Sequence, residues 1–157
     1  MKHLLAAAAL TVVYAAPALA QGKSSQPANC AIYAEELSKT IKADGRVSGT
    51  AESEAVESLD KLAAHLNKVV ADGMAGTYKQ AAAFGMDKAS VDAQMKAGTD
   101  AIRAGFTGQT MEAGKVYTDH LLVMNECGTN MMRAGHLGQA DVDKLGARMN
   151  AVYVQIR

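Results

Sequence analysis

The chain has no tryptophan, two phenylalanines and two prolines among its 157 residues, and both prolines lie in the first thirty positions. From Ala28 to Arg157 nothing interrupts the backbone's supply of N–H donors. Runs of β-branched residues are missing too, which removes the usual raw material of strands. Charge of one sign is not in excess: 16 basic residues face 16 acidic ones, and there is no Lys/Arg cluster. That gives no electrostatic reason to bind nucleic acid or an anionic membrane. The catalytic signatures that sequence can carry are absent as well. There is no Gly-x-Ser-x-Gly elbow, His-Glu-x-x-His helix or phosphate loop. No Glu-x-x-His pair occurs, which disfavours a di-iron bundle. Neither Cys-x-x-Cys nor Cys-x-x-Cys-His is present, so a thioredoxin-like centre and covalent haem attachment are disfavoured.

The N-terminus carries an address. Lys2 forms a short positive region, an apolar run follows from Leu4 to Ala16, and Ala18-Leu19-Ala20 is a small-x-small cleavage site. Residues 1–20 are expected to be a secretory signal, with the mature chain of 137 residues starting at Gln21. No cysteine directly follows the cut, since Cys30 comes ten residues after Ala20, so no lipid anchor is expected, and the apolar run is too short for a stable membrane span. A periplasmic or secreted protein follows. The polar stretch 21–29, "QGKSSQPAN", reads as a flexible leader, and 30–157 as a single α-helical domain.

Alanine, lysine, glutamate and methionine dominate that domain, a composition that favours helix. Cys30, Tyr33, Leu37 and Ile41 form a first apolar stripe, and "ADG" at Ala43 to Gly45 predicts its stop. Val56, Leu59, Leu62 (or Ala63), Leu66, Val69 and Val70 form a second, with Thr50 or Ser53 as cap and Asp72-Gly73 as the stop. Thr77 to Phe84 reads as a short corner helix. Val91, Met95, Gly98, Ile102 and Phe106 mark the next helix. Met111, Gly114, Tyr117, Leu121 and Met124 mark another, which runs on towards Met131. Val142, Leu145, Met149, Val152 and Ile156 close the chain, opening after Gly138 or Asp141. The fold class is therefore all-α: an antiparallel helical bundle of about five helices plus one short helix. Glu35–Lys39, Glu57–Lys61 and Asp92–Lys96 stand at i, i+4 and suit solvated faces.

The two cysteines, Cys30 and Cys127, share an oxidising compartment and are expected to form a disulfide. If the corner helix makes no full pass, the parity of the bundle brings them to the same end. Such a bond would contribute on the order of 4–5 kcal/mol by chain entropy.

The unusual feature is sulfur. Eight methionines follow the predicted cut, and two pairs, His120 with Met124 and Met132 with His136, stand at i, i+4. Imidazole and thioether suit Cu(I), and a bundle can also hold non-covalent haem through His or Met. Core filling is the favoured reading for Met95, Met111, Met124 and Met149, which lie on the stripes. His65 reads as a boundary residue. Asp119 and His120 are neighbours about 100° apart around a helix and cannot act as a dyad. Glu52, Glu54 and Glu57 lie in or just after a first helical turn, where the dipole favours them. Gly98 and Gly114 lie on their stripes, where close helix contact would offset their cost.

A Met- and Gly-rich, aromatic-poor core is adaptable, as in proteins that bind varied partners. The function expected is a non-catalytic binding or interaction protein with an unknown protein or small-molecule partner and no cofactor. The alternative is copper or haem handling through His120, Met124, Met132 and His136.

Overall fold

The computed structural model describes residues 26–107 and 115–157, with side chains over 26–104 and 119–157. The predicted signal, most of the leader, and Phe106, Met111, Gly114 and Tyr117 lie outside the described side chains. The described backbone contains five helices and no strand: α1 (Pro27–Ala43), α2 (Gly49–Ala83), α3 (Lys88–Thr107), α4 (Lys115–Arg133) and α5 (Gln139–Ile156).

Helix α1 starts at Pro27, three residues before the first apolar stripe begins. Proline suits a first helical position, where its missing N–H has no partner to lose. At the other end Asp44 leaves the helical region with extended angles, and its side chain accepts the N–H of Arg46 at 3.0 Å. The helix thus stops at "ADG" through an aspartate turn rather than through a left-handed glycine. Cys30, Tyr33, Leu37 and Ile41 are all buried, as their spacing predicts. So are Asn29, Ala31, Ile32 and Ala34, because this end of α1 is packed on several sides.

Four helices form a ring in the order α1, α2, α5, α4, with α1 and α5 on opposite corners, and α3 lies outside against α1 and α2. Ser38–Asp60 ties α1 to α2, and Glu54–Arg148 ties α2 to α5. Val142 and Leu145 of α5 pack on Gly128 of α4. Cys30 and Cys127 join α1 to α4 by a disulfide, with Cα atoms 5.7 Å apart. Early residues of one helix meet middle or late residues of the next, and Gln155 near the end of α5 reaches Ser48 at the start of α2, so ring neighbours run antiparallel. The core joins Leu37, Ile41, Leu59, Leu66, Met124, Met131, Met149 and Val152.

Asp72-Gly73 does not end α2. The helix runs unbroken for 35 residues and absorbs the expected corner helix at Thr77 to Phe84. A glycine inside a helix costs about 1 kcal/mol but stops nothing unless it turns left-handed. That happens at Gly85, with φ +79°. There Met86 N–H reaches Ala81 O and Gly85 N–H reaches Ala82 O, each at 3.0 Å, the paired bonds of a Schellman stop. The cap also differs from expectation: Ser48, not Thr50 or Ser53, is the N-cap, and it makes no side-chain capping bond. Instead Gln155 of α5 accepts Ser48 N–H at 2.9 Å.

At about 52 Å, α2 is twice the length of α1. Its buried residues are Ala55, Leu59, Leu62, Ala63, Leu66 and, alone in the second half, Ala81. That second half leaves the ring with α3 as its companion. Tyr78 Oη donates to Asp92 at 2.6 Å, Lys88 Nζ sits 4.8 Å from the Tyr78 ring centroid, and Val91 is buried. The outcome is a projecting two-helix arm with Phe84, 68% exposed, near its tip.

Three sequence expectations change here. Met95 is an exposed arm residue, not core filler, whereas Met131 is fully buried. Gly98 has no neighbour within 4 Å of an added Cβ, so no close helix contact offsets its cost, while Gly128 has Leu145 at 3.3 Å. The i, i+4 pairs hold for Glu57–Lys61, but Glu35 and Glu36 take Arg103, Lys39 takes Glu36, and Asp92 takes Lys88.

Candidate functional site

The sulfur and imidazole residues part company in three dimensions. His120 and Met124 stay one turn apart on α4 and both face the core. His120 is 6% exposed, and its ring lies 6.2 Å from the Tyr33 ring with a 50° tilt, inside the range for aromatic contact. Burial raises the Tyr33 hydroxyl above its ordinary pKa. The second pair is not a helix-face pair. Helix α4 ends at Arg133, and Gly135 turns left-handed at φ +78°. Gly135 N–H then bonds Met132 O at 2.9 Å and His136 N–H bonds Met131 O at 2.8 Å. The i, i+4 geometry needs helix through both members, so Met132 stays on α4 while His136 swings into the following loop. Along α4, His120 and Met132 are separated by a rise of about 18 Å, more than two such side chains span to one ion. Among the described residues there is no group of three or more His, Cys, Asp or Glu placed to hold a metal.

His136 goes instead to a groove between α2 and α5. The groove has a volume of about 290 Å³, and its floor is Leu62, Leu137 and Leu145. Each comes from a different segment: α2, the α4–α5 loop and α5. The spacing explains the two helical ones, since Leu62 and Leu145 belong to core stripes and show the groove the outer edge of the core. Around the floor stand Lys61, His65, His136 and Lys144, with Ser58 and Asp141 completing the rim.

Two of these polar groups already hold the fold. His65 Nε2 lies 2.8 Å from the His136 carbonyl oxygen, so its N–H donates there and ties the α4–α5 loop to α2. Asp141 accepts Gly138 N–H at 3.1 Å from the third helical position, closing the first turn of α5. The lysines are less committed. Lys61 bonds Glu57 at 2.5 Å, but those side chains are 71% and 62% exposed. The Glu57 carboxyl is held below its ordinary pKa first by the Lys61 hydrogen bond and charge, with desolvation opposing and the more distant charges of Lys144 and Arg148 adding least. Lys61 and Lys144 therefore act on the same patch of space from opposite walls.

No protein-family model, curated protein or solved structure matches this chain. Its site has to be read from its own geometry.

On that geometry, the sequence signals for the groove were slight. His65 does lie at the boundary of its stripe, but its partner is 71 positions away and no local pattern points to it. Lys61 reads as half of an ordinary surface pair. Of the candidate ligands His120, Met124, Met132 and His136, only His136 lines the groove. A lysine beside each buried leucine, Lys61–Leu62 and Lys144–Leu145, is the only trace a sequence could have offered.

Proposed function

We propose that this chain is a non-catalytic binding protein that takes a small molecule in the groove between α2 and α5. The observation that carries the reading is the division of labour among the groove's side chains. The hydrogen-bonding capacity of His65 and Asp141 is spent on loop and helix ends, so neither is placed as a base against a nucleophile. What faces a ligand is an apolar floor with Lys144 and an exposed, Glu57-paired Lys61 on its rim beside Ser58 and His136, an arrangement suited to binding. The expected N-terminal signal and the Cys30–Cys127 bond support a periplasmic or secreted setting. An amide-shift map with a small-molecule fragment set tests the reading. Shifts clustered at Ser58–His65 and His136–Leu145 are expected, and a set that leaves all of these unmoved would sink it.

The second reading, copper or haem handling, keeps one specific support: His120 and Met124 share a buried face beside Tyr33. An absorbance spectrum and metal analysis of protein purified from its native compartment separate the two. A Soret band or stoichiometric copper favours the second.

A further inference from the structure

Resting on the binding reading above, we infer that the groove ligand is a small monoanion, a carboxylate carried on an apolar body. Size, charge and competition each point that way. At about 290 Å³ the groove lies at the lower end of small-molecule sites, which favours a small ligand. Leu62 and Leu145 are 7% and 4% exposed, so the floor presents hydrocarbon and offers no buried polar side chain for a polar body to pair with.

The charge follows from the rim. Lys61 and Lys144 contribute two positive charges, and Asp141 contributes one negative charge already turned to Gly138 N–H. Among the lining residues the balance is one positive charge, which Glu57 meets from just outside at Lys61 and which a ligand carboxylate would meet in its place. A cation would find no uncommitted carboxylate among the lining residues, and a dianion would leave charge unmatched over an apolar floor.

A surrogate for the ligand is built in. Glu57, just outside the groove, places its carboxylate on Lys61. An exposed pair of this kind contributes little to stability, so exchange of Glu57 for a ligand carboxylate costs little. Glu57 thus competes with the ligand, and removing its charge strengthens binding. Nothing in a purely structural role for Lys61, Lys144 and Glu57 requires opposite effects from the lysines and the glutamate.

The probe is octanoate, titrated by calorimetry and by methyl shifts of Leu62, Leu137 and Leu145. Saturable binding with a Kd on the order of 0.1 mM is expected for a ligand of this size. Octanol, of equal length and no charge, should bind about tenfold more weakly, and octylammonium should not bind at all. Lys144→Met should weaken octanoate about tenfold, and Glu57→Gln should tighten it by about threefold. Lys96→Met, on the arm and paired with Asp100, should change nothing. Thermal melts confirm that each variant is folded. Octanoate that leaves the leucine methyls unmoved at millimolar concentration overturns the inference, as does octanoate binding to Lys144→Met and Glu57→Gln with the wild-type constant. If octanol or octylammonium fills the groove as tightly as octanoate, the carboxylate assignment falls while the binding reading stands. If the fragment set also leaves the groove unmoved, both fall.

Discussion

Gly73 and Gly76 test the continuity of α2 through the sign of a stability change. Both lie inside the helix, neither has a positive φ, and a Cβ built on either meets no atom within 4 Å. Alanine at each should therefore stabilise by about 0.5–1 kcal/mol, since glycine surrenders more backbone freedom on folding. If Asp72-Gly73 instead ended a helix, Gly73 would sit left-handed and alanine would cost about 1–2 kcal/mol. Gly85 supplies the internal contrast: its φ of +79° means that Gly85→Ala should destabilise by that amount. The assay is urea unfolding, read as a change in midpoint at constant slope. Only Ala81 is buried in the second half of α2, so this half has few buried contacts of its own and opens more easily than the bundle. The gain should appear first as slower amide exchange over residues 70–83, and in the global midpoint to the extent that the arm unfolds with the ring. Gly73→Ala that lowers both the midpoint and the protection of these amides refutes the continuous helix.

Three further outcomes follow from the ring. Replacing Cys30 and Cys127 together by serine removes a link across 97 positions and should cost about 4–5 kcal/mol by chain entropy, measured by urea unfolding against the oxidised protein. His120→Ala, which empties a buried position against Tyr33, should cost about 2–3 kcal/mol, whereas Met124→Leu keeps volume and should cost less than about 1.5 kcal/mol. Thermal melts with and without Cu(I), under conditions that spare the disulfide, check both; a rise in wild type that each variant abolishes would mark the pair as ligands. Asp60 is held below its ordinary pKa first by the hydrogen bond from buried Ser38, at 2.6 Å, with burial opposing and Lys42 adding to the effect. A depressed carboxylate contributes stability above its unfolded pKa and loses it as pH falls through the folded value. Asp60→Asn should therefore be less stable than wild type at pH 7, with the gap closing below about pH 4. A gap that widens on acidification contradicts the assignment.

What the sequence determined by itself is whatever repeats along one helix. Leu59, Leu62 and Leu66, or Leu145, Met149, Val152 and Ile156, recur with the helical period and are buried because a helix rotates the same face to the core every three to four residues. The disulfide was legible for a related reason: with two cysteines in one oxidising compartment, only the parity of the helices was needed to bring them together. Tertiary structure decided what depends on a distant neighbour. Asp72-Gly73 and Phe84-Gly85 look alike as stop signals, yet one lies inside the helix and the other ends it, because α3 returns along α2 and meets it at Tyr78. His120 sits beside a stripe, and Tyr33 of another helix places it inside. Met132 and His136 have the spacing of a ligand pair, and Gly135 breaks it. The groove joins Lys61 and His65 to His136 and Lys144, residues that share no local pattern. A helix's own backbone bonds reach four residues along the chain and make the period visible, whereas a groove forms only where two helices, each stable on other grounds, turn their edges toward one another.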